Sequence, residues 1–146
     1  MGLVFEFLIG FLAAGICVWG VKLVFRKPGI GFWSMGLPIA ALVYVVFAAT
    51  YKHAHGLMHE SLGLLIYSSF IFLSRKFGLW LLAAGWLLHI IWDVFHGQFF
   101  MNTFYVPAWY PGACAGFDLF IAGYIGYFFL KKSPQNENID GNYQNI

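Results

Sequence analysis

The sequence predicts an all-α membrane protein, a bundle of about five transmembrane helices with the N-terminus outside and the C-terminus cytoplasmic. Three observations carry this. The 146 residues are 61% hydrophobic with mean hydropathy +0.75, more apolar surface than a soluble domain of this size needs. Five apolar segments each approach the ~20 residues that cross a hydrocarbon core. And with five spans, Lys22, Arg26, Lys27, Arg75, Lys76, Lys131 and Lys132 all fall on one side, leaving only Lys52 on the other.

The first segment covers 3–25 and stops at Lys27-Pro28-Gly29. It has no basic leader and no small-residue cleavage site before a polar domain, so it reads as a retained span rather than a signal peptide. The second covers 34–52, with Pro38 near its start, tolerated in the first helical turn or giving a mild kink. Gly56 is expected to separate it from the third, 57–73, the shortest. Arg75-Lys76-Phe77-Gly78 then leads to the fourth, 78–98. The connector from Gln98 to Tyr110 is rich in aromatics and contains Pro107, which suits a lid lying in the interface. The fifth segment covers 110–130. Residues 1–132 thus form one bundle, and the Asn- and Gln-rich stretch 133–146 reads as a disordered polar tail. Small residues at Gly10, Ala14, Gly63, Gly85, Gly116, Gly123 and Gly126 permit close helix approach.

The chain is only 10% charged, yet four of its six acids and four of its five histidines lie inside the apolar segments or at their ends. They are Glu6, Glu60, Asp93, Asp118, His55, His59, His89 and His96, with His53 nearby. An ionisable group at such depth costs several kcal/mol unless it is paired, hydrated or metal-bound. At ~1.5 Å rise per residue all fall in the outer half of the bilayer. His89, Asp93 and His96 stand at i, i+4 and i+7 and share a helix face. His55 and His59 are also i, i+4 if the helix runs through Gly56, and flank it if Gly56 is a turn.

Imidazoles and carboxylates in this pattern suit a divalent metal, Zn or Fe, with Mn also compatible. The expected ligands are His55, His59, His89 and His96, with Asp93 or Asp118 supplying oxygen. Glu60 and Asp118 are the candidate catalytic bases. The reading is a metal-dependent hydrolase or non-haem oxidase acting on a lipid-soluble substrate, resident in the cell (plasma or inner) membrane. Two alternatives remain. One is a non-enzymatic proton, metal-ion or haem-binding subunit; the other is an assembly protein whose polar cluster only sets helix register. Membrane lipid, or a second copy of the chain, is the candidate partner. Nothing resembles a nucleic-acid footprint. Cys17 and Cys114 fall in opposite leaflets and are not expected to pair.

Histidines and an aspartate within a helical bundle resemble the zinc-holding membrane hydrolases such as alkaline ceramidases. Those have seven spans and a motif serine, and Ser61, Ser68 and Ser69 do not match that spacing. No residue role is carried over.

Overall fold

A computed structural model describes residues 2–25, 30–98 and 105–131. It contains five helices: α1 (Leu3–Phe25), α2 (Ile30–Thr50), α3 (Ala54–Phe77), α4 (Leu79–Gln98) and α5 (Tyr110–Lys131). Four of them, α1 to α4, are long and apolar enough to cross a membrane. The tail 133–146 and part of the expected lid, 99–104, lie outside the described residues.

Hydrophobicity does not choose the buried face of α1, because nearly every side chain on it is apolar. Residue size does. Gly10, Ala14 and Val18, at i, i+4 and i+8, form the buried stripe, while bulky neighbours such as Trp19 and Ile16 point outward. The stripe lies on α5. A Cβ at Gly10 would overlap the backbone carbonyl of Ala113, and one at Gly116 would overlap the backbone carbonyl of Phe7. The two glycines therefore let α1 and α5 meet backbone to backbone. α1 and α2, although consecutive, share little contact, since α1 packs on α5 and α2 packs on α3.

The α2–α3 turn falls earlier than expected. Lys52 takes a left-handed conformation (φ 53°). His53 N–H donates to the Ala48 carbonyl and Lys52 N–H to the Ala49 carbonyl, both at 3.0 Å, which closes α2. His53 then caps α3, its Nδ1 accepting from Gly56 N–H at 2.9 Å. Gly56 is consequently not a break but a buried first-turn residue, because a side chain there would strike His53 and Tyr105. α2 starts at Ile30, so Pro38 lies in the helix interior and not in its first turn. At the other end Gly78, with φ 109°, reverses the chain between α3 and α4 in one residue. Such a short connection makes the two helices antiparallel neighbours.

The main apolar core joins Trp33, Leu37 and Ala41 of α2 to Leu82 and Trp86 of α4 and Ile121 and Ile125 of α5. A smaller cluster near the α2–α3 turn joins Tyr44 and Ala48 to Tyr105 and Val106. The buried acids and histidines sit between these two layers.

Candidate metal centre

Two i, i+4 pairs face each other across the α4–α5 interface. His89 and Asp93 come from α4, Cys114 and Asp118 from α5. One ligand-type atom from each lies within 4.8 Å of all the others, and all four residues are buried. His89, Asp93 and Asp118 have no solvent exposure at all (0%). His89 Nδ1 is 2.6 Å from Asp118 Oδ2 and 3.6 Å from Asp93 Oδ2. From α2, the Tyr44 hydroxyl donates to Asp93 Oδ1 at 2.6 Å. Tyr67 of α3 places its ring edge on His89, with centroids 4.7 Å apart. Four helices thus close around the imidazole.

The cluster is not self-sufficient. His89 Nε2, Asp93 Oδ2 and Asp118 Oδ1 are buried without a hydrogen-bond partner among the described residues. Buried polar atoms are nearly always satisfied, and each one left bare costs about 1–3 kcal/mol. Metal binding needs the carboxylates ionised and the imidazole neutral, and the −2 of that form is what one divalent cation would balance. Imidazole, carboxylates and thiol together form a donor set that could hold a metal ion.

A second polar group lies closer to the α2–α3 turn. Glu60 is 1% exposed. His96 Nε2 is 2.6 Å from its Oε1, and the Tyr105 hydroxyl donates to the same oxygen at 2.8 Å. The Trp92 carbonyl, 3.1 Å from His96 Nδ1, fixes the other side of that ring. Tyr44 stands between the two groups, its ring centroid 5.0 Å from that of His96 and 6.0 Å from that of His89. Tyr105 belongs to the α4–α5 connector, so this group ties that connector to the bundle.

Burial, and then the adjacent Glu60 carboxylate, raise the Tyr105 phenol above its ordinary pKa. A raised pKa means that Tyr105 contributes in full below the unfolded-state value of about 10 and loses its contribution only as pH climbs through the folded value. Tyr105→Phe is expected to lower stability by about 1.5–3 kcal/mol at pH 7, the scale of one hydrogen bond to a charged group. The deficit should stay constant from pH 6 to pH 9 in denaturation measurements. A deficit that vanished within that window would contradict the bond.

Of the expected ligands, the structure brings His89 and Asp93 together, with Asp118 beside them. His96, seven residues beyond His89, is about 10 Å farther along α4 and belongs to the Glu60 group. His55 and His59 are exposed. α3 runs unbroken from Ala54, so they share a face, but its buried face carries Gly56, Glu60, Gly63 and Tyr67. Glu60, one residue after His59, turns inward while the histidines turn out. Glu6, half-buried, lies against Gly112 at the start of α5. Cys114 went unrecognised in the sequence as a candidate ligand; its signal was the i, i+4 spacing to Asp118.

No protein-family model, curated protein or solved structure matches the chain. The described residues define a class: an all-helical protein with four helices long and apolar enough to cross a membrane and a buried His/Asp/Cys group that could hold a metal ion.

Proposed function

We propose that the protein is an integral membrane metalloenzyme acting on a lipid-soluble substrate, with His89, Asp93, Asp118 and Cys114 around a divalent Zn or Fe ion. The observation that carries this is the trio of bare buried atoms, His89 Nε2, Asp93 Oδ2 and Asp118 Oδ1. A network built only to set helix register would satisfy its own members. In this assignment Tyr44 orients Asp93 through its 2.6 Å hydrogen bond, as an outer partner of a ligand does. Glu60, held by His96 and Tyr105, is the proton acceptor nearest the outer loop. A bound metal would polarise a carbonyl or lower the pKa of a water, the chemistry of a hydrolase; with iron the same ligands suit an oxidase. Of the two roles the sequence allows Asp118, oxygen ligand or catalytic base, this assignment takes the first, and His55 and His59 leave the ligand set.

The sorting of basic residues supports an orientation with the N-terminus outside, which puts the cluster in the outer half of the bilayer of the cell membrane.

Metal analysis of the protein purified without chelator tests the proposal. About one Zn or Fe per chain is expected, and absence of stoichiometric Zn, Fe or Mn ends it. His55→Gln combined with His59→Gln should leave metal content unchanged; loss of metal in that double variant would overturn the ligand assignment. A transport role is tested in proteoliposomes. No uptake of protons or metal ions is expected, because the apolar layer of Trp33, Leu37, Leu82, Ile121 and Ile125 lies on the other side of the cluster from the α2–α3 turn.

A further inference from the structure

The seam between α1 and α2 is open. A cleft of about 410 Å³ runs along it, within the range of ligand pockets, and its walls include Ile9 and Ala13 of α1, Ile39 and Ala40 of α2, Trp86 and Asp118. Its outer end is framed by Trp109 and Tyr110. A second cavity of about 270 Å³ shares Gly36, Ile39, Trp86 and Phe117 with it and continues past Trp33 to Ile121. Measured along α5 from Tyr110 to Ile121, the joint groove is about 17 Å long. A narrow apolar slot of this length has the dimensions of one extended hydrocarbon chain.

The walls are apolar except at one level. Asp118 Oδ1 and Trp86 Nε1 are both buried without a hydrogen-bond partner among the described residues, and both residues line the cleft. One is an acceptor and the other a donor only. Bulk lipid tails supply no partner for an indole N–H, whereas a carbonyl oxygen part-way along a chain does. Cys114 also lines the cleft, so a chain seated there passes beside the metal group.

We infer that the α1–α2 seam is a lateral binding site for a single-chain acyl lipid, entered from the membrane, whose carbonyl accepts a hydrogen bond from Trp86 next to the His89/Asp93/Asp118 group. The inference names the substrate class and entry route of the proposed enzyme and rests on that reading for its chemistry, though binding can be measured without it.

The test uses the full chain in nanodiscs and two photoprobes: the methyl ester of a diazirine-bearing palmitic acid, and the diazirine-bearing alkane of equal length. Peptide mapping after irradiation should place the label on α1 and α2 residues of the seam, around Ala13 and Ile39. The ester should compete roughly fivefold to tenfold better than the alkane, the scale of one hydrogen bond. Trp86→Phe, which keeps an aromatic ring and deletes the N–H, should abolish that preference and leave alkane labelling unchanged. Ala13→Trp, at an exposed position of α1, should block both probes while metal content stays as in the unmodified protein. Labelling spread evenly over the outward faces of α3 and α4, or an ester preference that survives Trp86→Phe, overturns the inference. Seam-selective labelling of a metal-free protein sinks the enzyme reading alone, and even labelling of a metal-loaded protein sinks the lipid site alone.

Discussion

Asp118→Asn is expected to strip the protein of the proposed metal ion. The substitution is nearly isosteric, so α5 keeps its packing, but the oxygen 2.6 Å from His89 Nδ1 loses its charge. Altering a group that merely orients a ligand costs about 10–100-fold in metal affinity, and a direct ligand should reach at least the upper end. Occupancy should fall from about one ion per chain to a trace. The melting temperature should follow. An ion present at ~1,000 times its dissociation constant stabilises the folded state by about 4 kcal/mol, or on the order of 10 °C for a chain of this length. Chelator should therefore lower the melting temperature of the unmodified protein by that amount and leave the Asp118→Asn protein where it is. Were the cluster a metal-free polar network, Asp118→Asn would be destabilised equally with and without chelator. That outcome would sink the proposal, and the comparison does not depend on knowing the substrate.

Gly116→Ala and Gly123→Ala sit seven residues apart on α5, yet opposite effects are expected from them. At Gly116 the new methyl group would fall on the backbone of Phe7, which has no rotamer with which to yield. α1 must move away, and the cost should reach about 3 kcal/mol or more, the upper end for overpacking. At Gly123 nothing lies within 4 Å of the added Cβ. There the substitution should be neutral or stabilise by up to about 1 kcal/mol through helix propensity. Gly10→Ala against Gly20→Ala makes the same contrast on α1, since a Cβ at Gly10 would overlap the backbone carbonyl of Ala113 and one at Gly20 meets open space. Denaturation in detergent micelles reads the difference. Equal stabilities within each pair would mean that α1 and α5 do not meet at these glycines. Because α5 carries Cys114 and Asp118, the clashing variants should also loosen metal binding, whereas the other two should not.

Length and hydropathy alone located the helices. The expected segment 3–25 coincides with α1, and 78–98 and 110–130 differ from α4 and α5 by a residue at most. Boundaries failed where local hydrogen bonding overruled composition. Gly56 reads as a breaker, but the chain had already turned at Lys52 and His53, leaving glycine the separate task of admitting Tyr105. With α3 starting at Ala54, the phase of the helix sends His55 and His59 outward and Glu60 inward.

Which costly side chains sit within the apolar segments was thus determined by the sequence by itself, because burying charge is penalised wherever the chain goes. Spacing also grouped His89 with Asp93, since a single helix fixes that geometry. Which helices face one another was decided only by the tertiary structure. In lipid, helices find partners through close packing of small residues rather than through polarity, so α1 lies on α5 and stands off from α2. That choice sets Cys114 and Asp118 across from His89, assigns His96 to Glu60, and leaves the groove along the α1–α2 seam open to the membrane.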